Sequence, residues 1–313
     1  MSFATAPIAD SLRGGNIAIG NFDGVHRGHR AMIEQLIERS RSHSRPAIIV
    51  TFDPHPLAFL RDTGAPPNLT TIPQRMELFA QLGIDSVVVL QTSRELLNLT
   101  AHEFFQQVVC EELGAAGMVE GPNFHFGKDR GGTIDLLRQF CREHGMSLDV
   151  IEPVTTDGRW VSSSVIRDLL QAGDLNTAVE LLGHPYSLDG HVVAGMRRGR
   201  ELGFPTANLS DIATVIPGPG VYSGTVEMSG RRYAAALNIG PNPTFEEGQY
   251  KVEAHIIDFQ GDLYGQSLRV ELQRRLRDIR RFASREDLQQ QLRADIDTVV
   301  GNFRKSAAES SSA

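Results

Sequence analysis

The stretch NIAIGNFDGVHRGH, residues 16–29, decides how the first half of this chain folds. Asn16 to Gly20 reads as a short apolar strand, and Arg30 to Ile37 as a helix that buries Met32, Ile33, Leu36 and Ile37. Between them, Gly24 and Gly28 let the backbone turn tightly and approach a ligand. His26 and His29 are three apart, so they can face one way at the helix entry, where exposed N–H groups favour phosphate. Two imidazoles there can donate hydrogen bonds as charge builds on a transferring group. The plain alternative is a capped helix with two ordinary surface histidines; an HxGH at a strand-to-helix turn speaks against it.

The same grammar repeats on the C-terminal side. AIIVTF, residues 47–52, is a continuous apolar run, as expected of a strand covered on both faces. Val87 to Leu90, Met118 to Gly121 and Leu148 to Val154 read as further strands. Helical patterns at Ala101 to Leu113, Thr133 to His144 and Ser164 to Ala172 alternate with them. Alternating strands and helices predict a doubly wound parallel α/β sheet. Such sheets bind ligands at the carboxyl ends of their strands, which points to the loops after Gly20, Phe52 and Gly121.

Around Gly183 to Tyr186 the pattern changes. Short alternating runs with frequent glycine and proline follow at 191–194, 220–226, 233–239, 250–258 and 267–272. In VEAHIIDF, Val252, Ala254 and Ile256 share one face while Glu253, His255 and Ile257 share the other. Close-spaced short strands predict a small antiparallel β-barrel, closed by a terminal amphipathic helix over 285–303. The expected domains are 1–183 and 184–305, with a small, polar, disordered tail over 306–313.

A length of 313 residues suits two domains. The net charge of −7 argues against a partner whose main feature is nucleic-acid phosphate, and no helix-turn-helix or basic patch is visible. Cys110 and Cys141 lie in apolar helical patterns and read as small buried hydrophobes. Met1 to Arg13 lacks the pattern of a signal peptide, and no apolar stretch approaches the ~18 residues of a membrane span. The expected address is the cytoplasm, with no membrane partner. The sequence carries no reading on self-association.

The HxGH segment resembles the nucleotidyltransferase superfamily, and the longer string resembles its bacterial bifunctional riboflavin kinase/FAD synthetase branch. TFDPHP (51–56), GPNFHFG (121–127) and SSSVIR (162–167) support that branch. The resemblance implies that His26, His29 and Arg167 stabilise the transferring α-phosphate. It implies ATP contacts from Gly20, Asn21, Phe22, Asp23, Gly24, Gly28, Ser162, Ser163 and Ser164, and flavin contacts from Phe52, Asp53 and Asn123. Asn123 offers an amide that can read an isoalloxazine edge, and its competing role is that of a turn former. One of the three serines also caps the helix that follows.

RGRELGFPTAN, residues 198–208, joins a glycine-rich turn to a fixed polar pair. No GK[ST] follows, so it is not a Walker loop, but its backbone N–H groups can still cradle phosphate. Thr206 and Asn208 share a face of extended chain, and their hard oxygens suit Mg²⁺ carried with a nucleotide. The competing reading is a strand start with polar outward residues. PTAN is a hallmark of riboflavin kinases, which the chain also resembles at GVYSG (220–224), NIGPNPTF (238–245), VEAH (252–255) and DLYG (262–265). The resemblance implies that Glu253 takes the proton of the riboflavin 5′-hydroxyl, that Gly199, Arg200, Gly203 and Pro205 hold ATP, and that Thr206 and Asn208 bind Mg²⁺. RDIRRF (277–282) also fits and would help cover flavin without taking part in chemistry.

The resemblance runs from about 16 to 300. It departs at Pro241 and at the third serine of SSSVIR, neither of which removes an assigned group. It implies two ATP-dependent steps, riboflavin to FMN and FMN to FAD with release of pyrophosphate. Two alternatives stand beside it. One is a kinase whose first domain serves another nucleotidyl acceptor, against which the segments around Asn123 speak. The other is a flavin-storing protein, which would need neither the two histidines nor Glu253.

Overall fold

Five strands form one parallel sheet: β1 (Asn16–Ile19), β2 (Ala47–Asp53), β3 (Ser86–Gln91), β4 (Gly117–Glu120) and β5 (Ser147–Val150), in the order β3-β2-β1-β4-β5. The computed structural model describes residues 2–61, 64–195, 199, 202–242 and 247–310. Period-two side-chain alternation divides these strands between two cores. Ile17, Ile19, Ile48, Val50 and Met118 bury one face, and Ala18, Ala47, Ile49 and Val119 the other. Helix α1 (Arg27–Ser42) covers the second face with Met32, Ile33, Leu36 and Ile37, joined by Phe79 of α2 (Ile72–Leu82). Helix α3 covers the first face; it starts at Ala101–Phe104 and continues in π winding over Phe105–Glu112. Helix α4 (Ile134–Glu143) packs there through Leu137, Phe140 and Cys141. The doubly wound sheet expected from sequence is therefore present.

Three features of this unit lie outside the sequence reading. Helix α2 starts at a Thr71–Gln74 capping box. The N-terminal residues lie antiparallel to the β3 edge, with Gln91 N–H donating to Phe3 O at 2.8 Å and Thr5 N–H to Val89 O at 2.9 Å. A small hairpin, β6 (Thr155–Thr156) with β7 (Arg159–Trp160), turns through Asp157 and Gly158, both at positive φ. Cys141 is buried, and desolvation pushes its thiol up to about 11, in keeping with a packing role.

The chain divides into two compact units, Met1–Ser162 and Ser163–Ala313. In the second unit, six antiparallel strands close a barrel in the order β10-β11-β12-β9-β8-β13. They are β8 (Tyr186–Val193), β9 (Ala207–Ser210), β10 (Gly220–Met228), β11 (Arg231–Asn242), β12 (Glu247–Ile256) and β13 (Ser267–Arg277). Two helices precede the barrel, α5 (Ser163–Gln171) and α6 (Leu175–Leu182). They belong with it by packing: Gly218 N–H donates to Leu170 O at 2.8 Å, and a Cβ at Gly218 would sit 2.5 Å from Gln171 O. The packing division thus falls before α5, ahead of the composition change at 183.

The terminal helix α7 spans Arg285–Ser310. Its Val299, with Ile296, Val300 and Phe303, packs on Ala234, Ala236 and Ile257. It continues past the apolar pattern of 285–303 through Ala307, Ala308 and Glu309, which favour helix, into the tail expected to lack structure. Residues 311–313 lie outside the described residues.

Candidate active sites

The first site forms where the sheet order reverses, between β1 and β4, as ligand sites in such sheets do. The chain leaves β1 at Gly20 and winds through Phe22, Gly24 and Val25, all at positive φ, before entering α1. Left-handed backbone at Phe22 and Val25 is costly for L side chains and needs surrounding bonds to hold it. Asp23 supplies some of them. Its carboxylate, 1% exposed, accepts the N–H groups of Leu69 (2.9 Å) and Thr70 (3.0 Å), and Thr70 Oγ1 accepts Gly24 N–H at 2.8 Å.

His26 caps α1, its Nδ1 accepting His29 N–H at 3.3 Å. The two rings stack with centroids 3.6 Å apart and planes inclined by 14°. Phe22 lies on His29 at 5.2 Å. The structure therefore brings the predicted histidine pair together as one stacked unit. Burial, the His26 ring and the Arg75 cation, in that order, hold the His29 imidazole well below its ordinary pKa, so it is neutral at pH 7. Asn21 Oδ1, His29 Nδ1 and Arg30 Nε are buried without a hydrogen-bond partner among the described residues. Three orphaned polar atoms, one on the loop and two in the first turn of α1, mark this strand-to-helix junction as built for a polar ligand. Gly28 packs tightly, since a Cβ there would lie 3.2 Å from the His26 ring and require that ring to shift.

Phe52 and Asp53 end β2, beside β1 in the sheet, with a cis bond between Asp53 and Pro54. Asn123 is exposed on the turn after β4, where Phe124 N–H donates to Gly121 O at 3.1 Å. The loops after β1, β2 and β4 thus leave the same carboxyl edge. Ser162 follows Val161, whose carbonyl would lie 3.7 Å from a Cβ at Gly28. Ser163 and Ser164 open α5 in the second unit, with Arg167 buried one turn further on. Sequence reasoning missed Arg75 and Glu120. Arg75 sits 4% exposed in α2 and donates to the Asn21 and Thr70 carbonyls at 2.8 and 3.0 Å. Glu120, 1% exposed at the end of β4, accepts Ile19 N–H at 2.8 Å. Burial pushes its carboxyl well above the usual range, against that hydrogen bond. Neither residue belongs to a motif, and burial of a lone charge is not visible in sequence.

The second site lies on the outer face of the barrel. Glu253 on β12 stands directly opposite Asn208 on β9 and Asn238 on β11. Directly opposed residues share a face, so Asn238, Glu253 and Asn208 form one polar row across three strands. Val252, Ala254 and Ile256 are buried on the opposite face, as their alternation predicts. Thr206, two before Asn208, falls on the Asn208 side of the extended chain. Pro205 O lies 2.7 Å from His255 Nδ1, which fixes the entry to β9. Glycines make room: a Cβ at Gly195 would meet the Asn208 amide at 2.2 Å, and one at Gly199 would meet Phe204 O at 2.4 Å. Gly203 has φ +90°, which favours glycine. Arg200 lies outside the described residues. Beside Pro205, Thr206 and Ala207 opens a cavity of 650 Å³, with Val192, Ala254 and Ile256 as an apolar floor and Asp262 and Tyr264 at its polar rim.

Hard neutral oxygens at Thr206 and Asn208 fit a divalent cation that arrives with phosphate. No group of three or more His, Cys, Asp or Glu among the described residues could hold a metal by itself. No described helix is long and apolar enough to cross a membrane.

Comparison with known proteins agrees with this geometry. Residues 8–165 match the FAD synthetase family, and residues 182–302 match riboflavin kinase. The bifunctional riboflavin kinase/FMN adenylyltransferase of Pseudomonas fluorescens is 37% identical over 91% of both chains. That of Escherichia coli K12 is 35% identical, covering 89% of this chain and 90% of the relative. A crystal structure described as a macrolide-efflux protein from Streptococcus pneumoniae superposes with a TM-score of 0.82 at 29% identity, covering 94% of this chain and 98% of the other. An α/β unit with a stacked histidine pair at a phosphate-ready helix, a barrel with a carboxylate beside PTAN, and relatives matching along nearly the full length lead to one conclusion. The chain belongs to the family of bifunctional riboflavin kinase/FMN adenylyltransferases, enzymes of FAD biosynthesis.

Proposed function

We propose that the two reactions divide between the sites as follows, with residues 1–183 serving adenylyl transfer, 184–305 serving phosphorylation, and 306–313 serving neither. The Asn238–Glu253–Asn208 row is the observation that carries this reading. It sets a carboxylate beside the oxygen donors suited to a nucleotide-bound cation. In the barrel, Glu253 takes the 5′-hydroxyl proton of riboflavin while that oxygen bonds to the γ-phosphorus of ATP. The bond from the γ-phosphorus to the bridging oxygen breaks, and FMN and ADP leave. Thr206 and Asn208 would hold Mg²⁺, which neutralises charge on the phosphates. The 199–205 segment, with Gly199, Arg200, Gly203 and Pro205, holds the nucleotide.

In the α/β unit, a phosphate oxygen of FMN attacks the α-phosphorus of a second ATP, the bond to the β-phosphate breaks, and pyrophosphate leaves. The nucleophile is already ionised, so this step needs orientation and charge stabilisation more than a base. His26, His29 and Arg167 serve that role, with Gly20 to Gly24, Gly28 and Ser162 to Ser164 around the phosphates. Phe52, Asp53 and Asn123 meet the flavin. For Asp23 the buried carboxylate bonds support a role in shaping the loop rather than touching ATP. The reading takes the enzyme to be cytoplasmic, where its substrate ATP is made.

Single variants in one assay test the division, with riboflavin, FMN and FAD separated after incubation with ATP and Mg²⁺. Glu253→Gln is expected to slow FMN formation by about 10²- to 10⁴-fold while supplied FMN still becomes FAD. His29→Asn is expected to do the reverse. Loss of both activities in either variant would sink the assignment.

A further inference from the structure

Arg75 is a guanidinium buried beneath the histidine loop, on an element that carries no recognised motif. Its Nη1 donates to Asn21 O at 2.8 Å, its Nη2 to Thr70 O at 3.0 Å, and its Nε to the same carbonyl at 3.3 Å. Nη2 also lies 3.8 Å from Asp23 Oδ1, both side chains being almost wholly buried. A buried charge is costly unless paired and hydrogen-bonded, and this one has a partner for every nitrogen. The bonds form a closed circuit. Arg75 grips Asn21 and Thr70, Asp23 grips Leu69 and Thr70, and Thr70 grips Gly24. Residues Asn21 to Gly24, with the left-handed turn they contain, are thereby clamped to the start of α2.

A fold-maintaining clamp could use a neutral donor. An arginine adds a permanent cation, and that cation reaches His29. The titratable or charged groups acting on His29 are His26, stacked on it from the same helix, and Arg75 from α2.

We infer that Arg75 is a positioning residue for adenylyl transfer: it fixes the Asn21–Gly24 turn, so that the phosphate-binding loop is in its working shape before ATP arrives. The inference rests on the assignment of the His26–His29 loop to that reaction.

The test uses the full chain, with riboflavin phosphorylation as an internal control and NMR titration of ring-labelled histidine as a second readout. Arg75→Gln is expected to lower kcat for FAD formation about 100-fold, as loss of positioning does, with KM for ATP and the kinase rate changing less than about threefold. His29 in that variant titrates closer to the ordinary histidine value. Arg75→Lys keeps a cation of similar reach and is expected to restore the His29 titration and recover FAD formation to within about tenfold of the parent. Should Arg75→Gln fail to fold, Arg75→Lys decides alone, by the same recovery. The inference is overturned if Arg75→Gln keeps FAD formation within about threefold. It is also overturned if the lysine variant loses as much activity as the glutamine variant while His29 titrates as in the parent. His29→Asn in the same assay separates the two ideas: unimpaired FAD formation there would overturn the site assignment itself, whatever Arg75 does.

Discussion

Gly28 shows how little freedom the first site leaves a single residue. A methyl group there would press on the His26 ring, which is itself stacked on the His29 ring. Gly28→Ala is therefore expected to reduce FAD formation about 10- to 100-fold while leaving riboflavin phosphorylation intact, a split that steady-state assays of the two steps would reveal. A variant that kept full FAD formation would show that the stacked pair is not the working arrangement. The pair itself was legible, because His26, Gly28 and His29 sit at a strand-to-helix turn whose physics favours phosphate. Arg75 and Glu120 were not, since their significance comes from burial, and burial of a lone charge depends on chain segments far away in sequence. Asp23 shows the same limit from within a motif: the family resemblance puts it among the ATP contacts, and the bonds of its carboxylate to Leu69 and Thr70 come from a segment the motif does not contain.

Among the elements, those with strong periodicity read well and those made by local chemistry did not. β2 was visible as a continuous apolar run and β12 as an alternation, because each pattern reports how many faces are covered. Helix α2 escaped notice although Thr71 and Gln74 form a capping box, since its buried positions include Gln74 and Arg75 beside only one buried aromatic, Phe79. The Asp157-Gly158 turn is a hairpin signal, but the strands it joins are two residues each, too short to alternate. The π winding of α3 is invisible in principle, because Phe104, Phe105, Val108 and Val109 suit either winding. At the far end of the chain, Asp295 of α7 holds Arg277 of β13 through contacts of 2.7 to 3.1 Å, with the carboxylate largely buried. Asp295→Ala is expected to destabilise the second unit by roughly 3 kcal/mol, because Arg277 would be left partly buried without its partner. Thermal unfolding should show a lowered transition with the kinase activity lost along it. An unchanged transition would mean that helix docking rests on Val299 and its neighbours alone.

For the molecule as a whole, the two kinds of division do not coincide. Packing assigns α5 and α6 to the barrel, whereas the change in strand grammar falls after both helices, near 183. A fragment starting at 163 should accordingly be a stable riboflavin kinase. One starting at 184 loses the buried Leu175, Ala178, Leu181 and Leu182 contacts and should unfold at a lower temperature. Equal stability of the two fragments would remove the case for α5 and α6 as part of the barrel's structure. The boundary in the sequence was set by a change in strand grammar, which reports where β-structure begins and is silent about which helices lean on it.

The polar row of the barrel has one more consequence. Asn238, Glu253 and Asn208 come from β11, β12 and β9, and β9 lies in the barrel between β8, its neighbour in sequence, and β12, which is two strands further on than its next neighbour β10. No single hairpin contains the row, because Asn208 joins Asn238 and Glu253 only through the pairing of β9 with β12. During refolding, phosphorylation of riboflavin becomes a stopwatch for the insertion of one short strand: activity starts when β9 reaches its slot, however early the hairpins around it have formed.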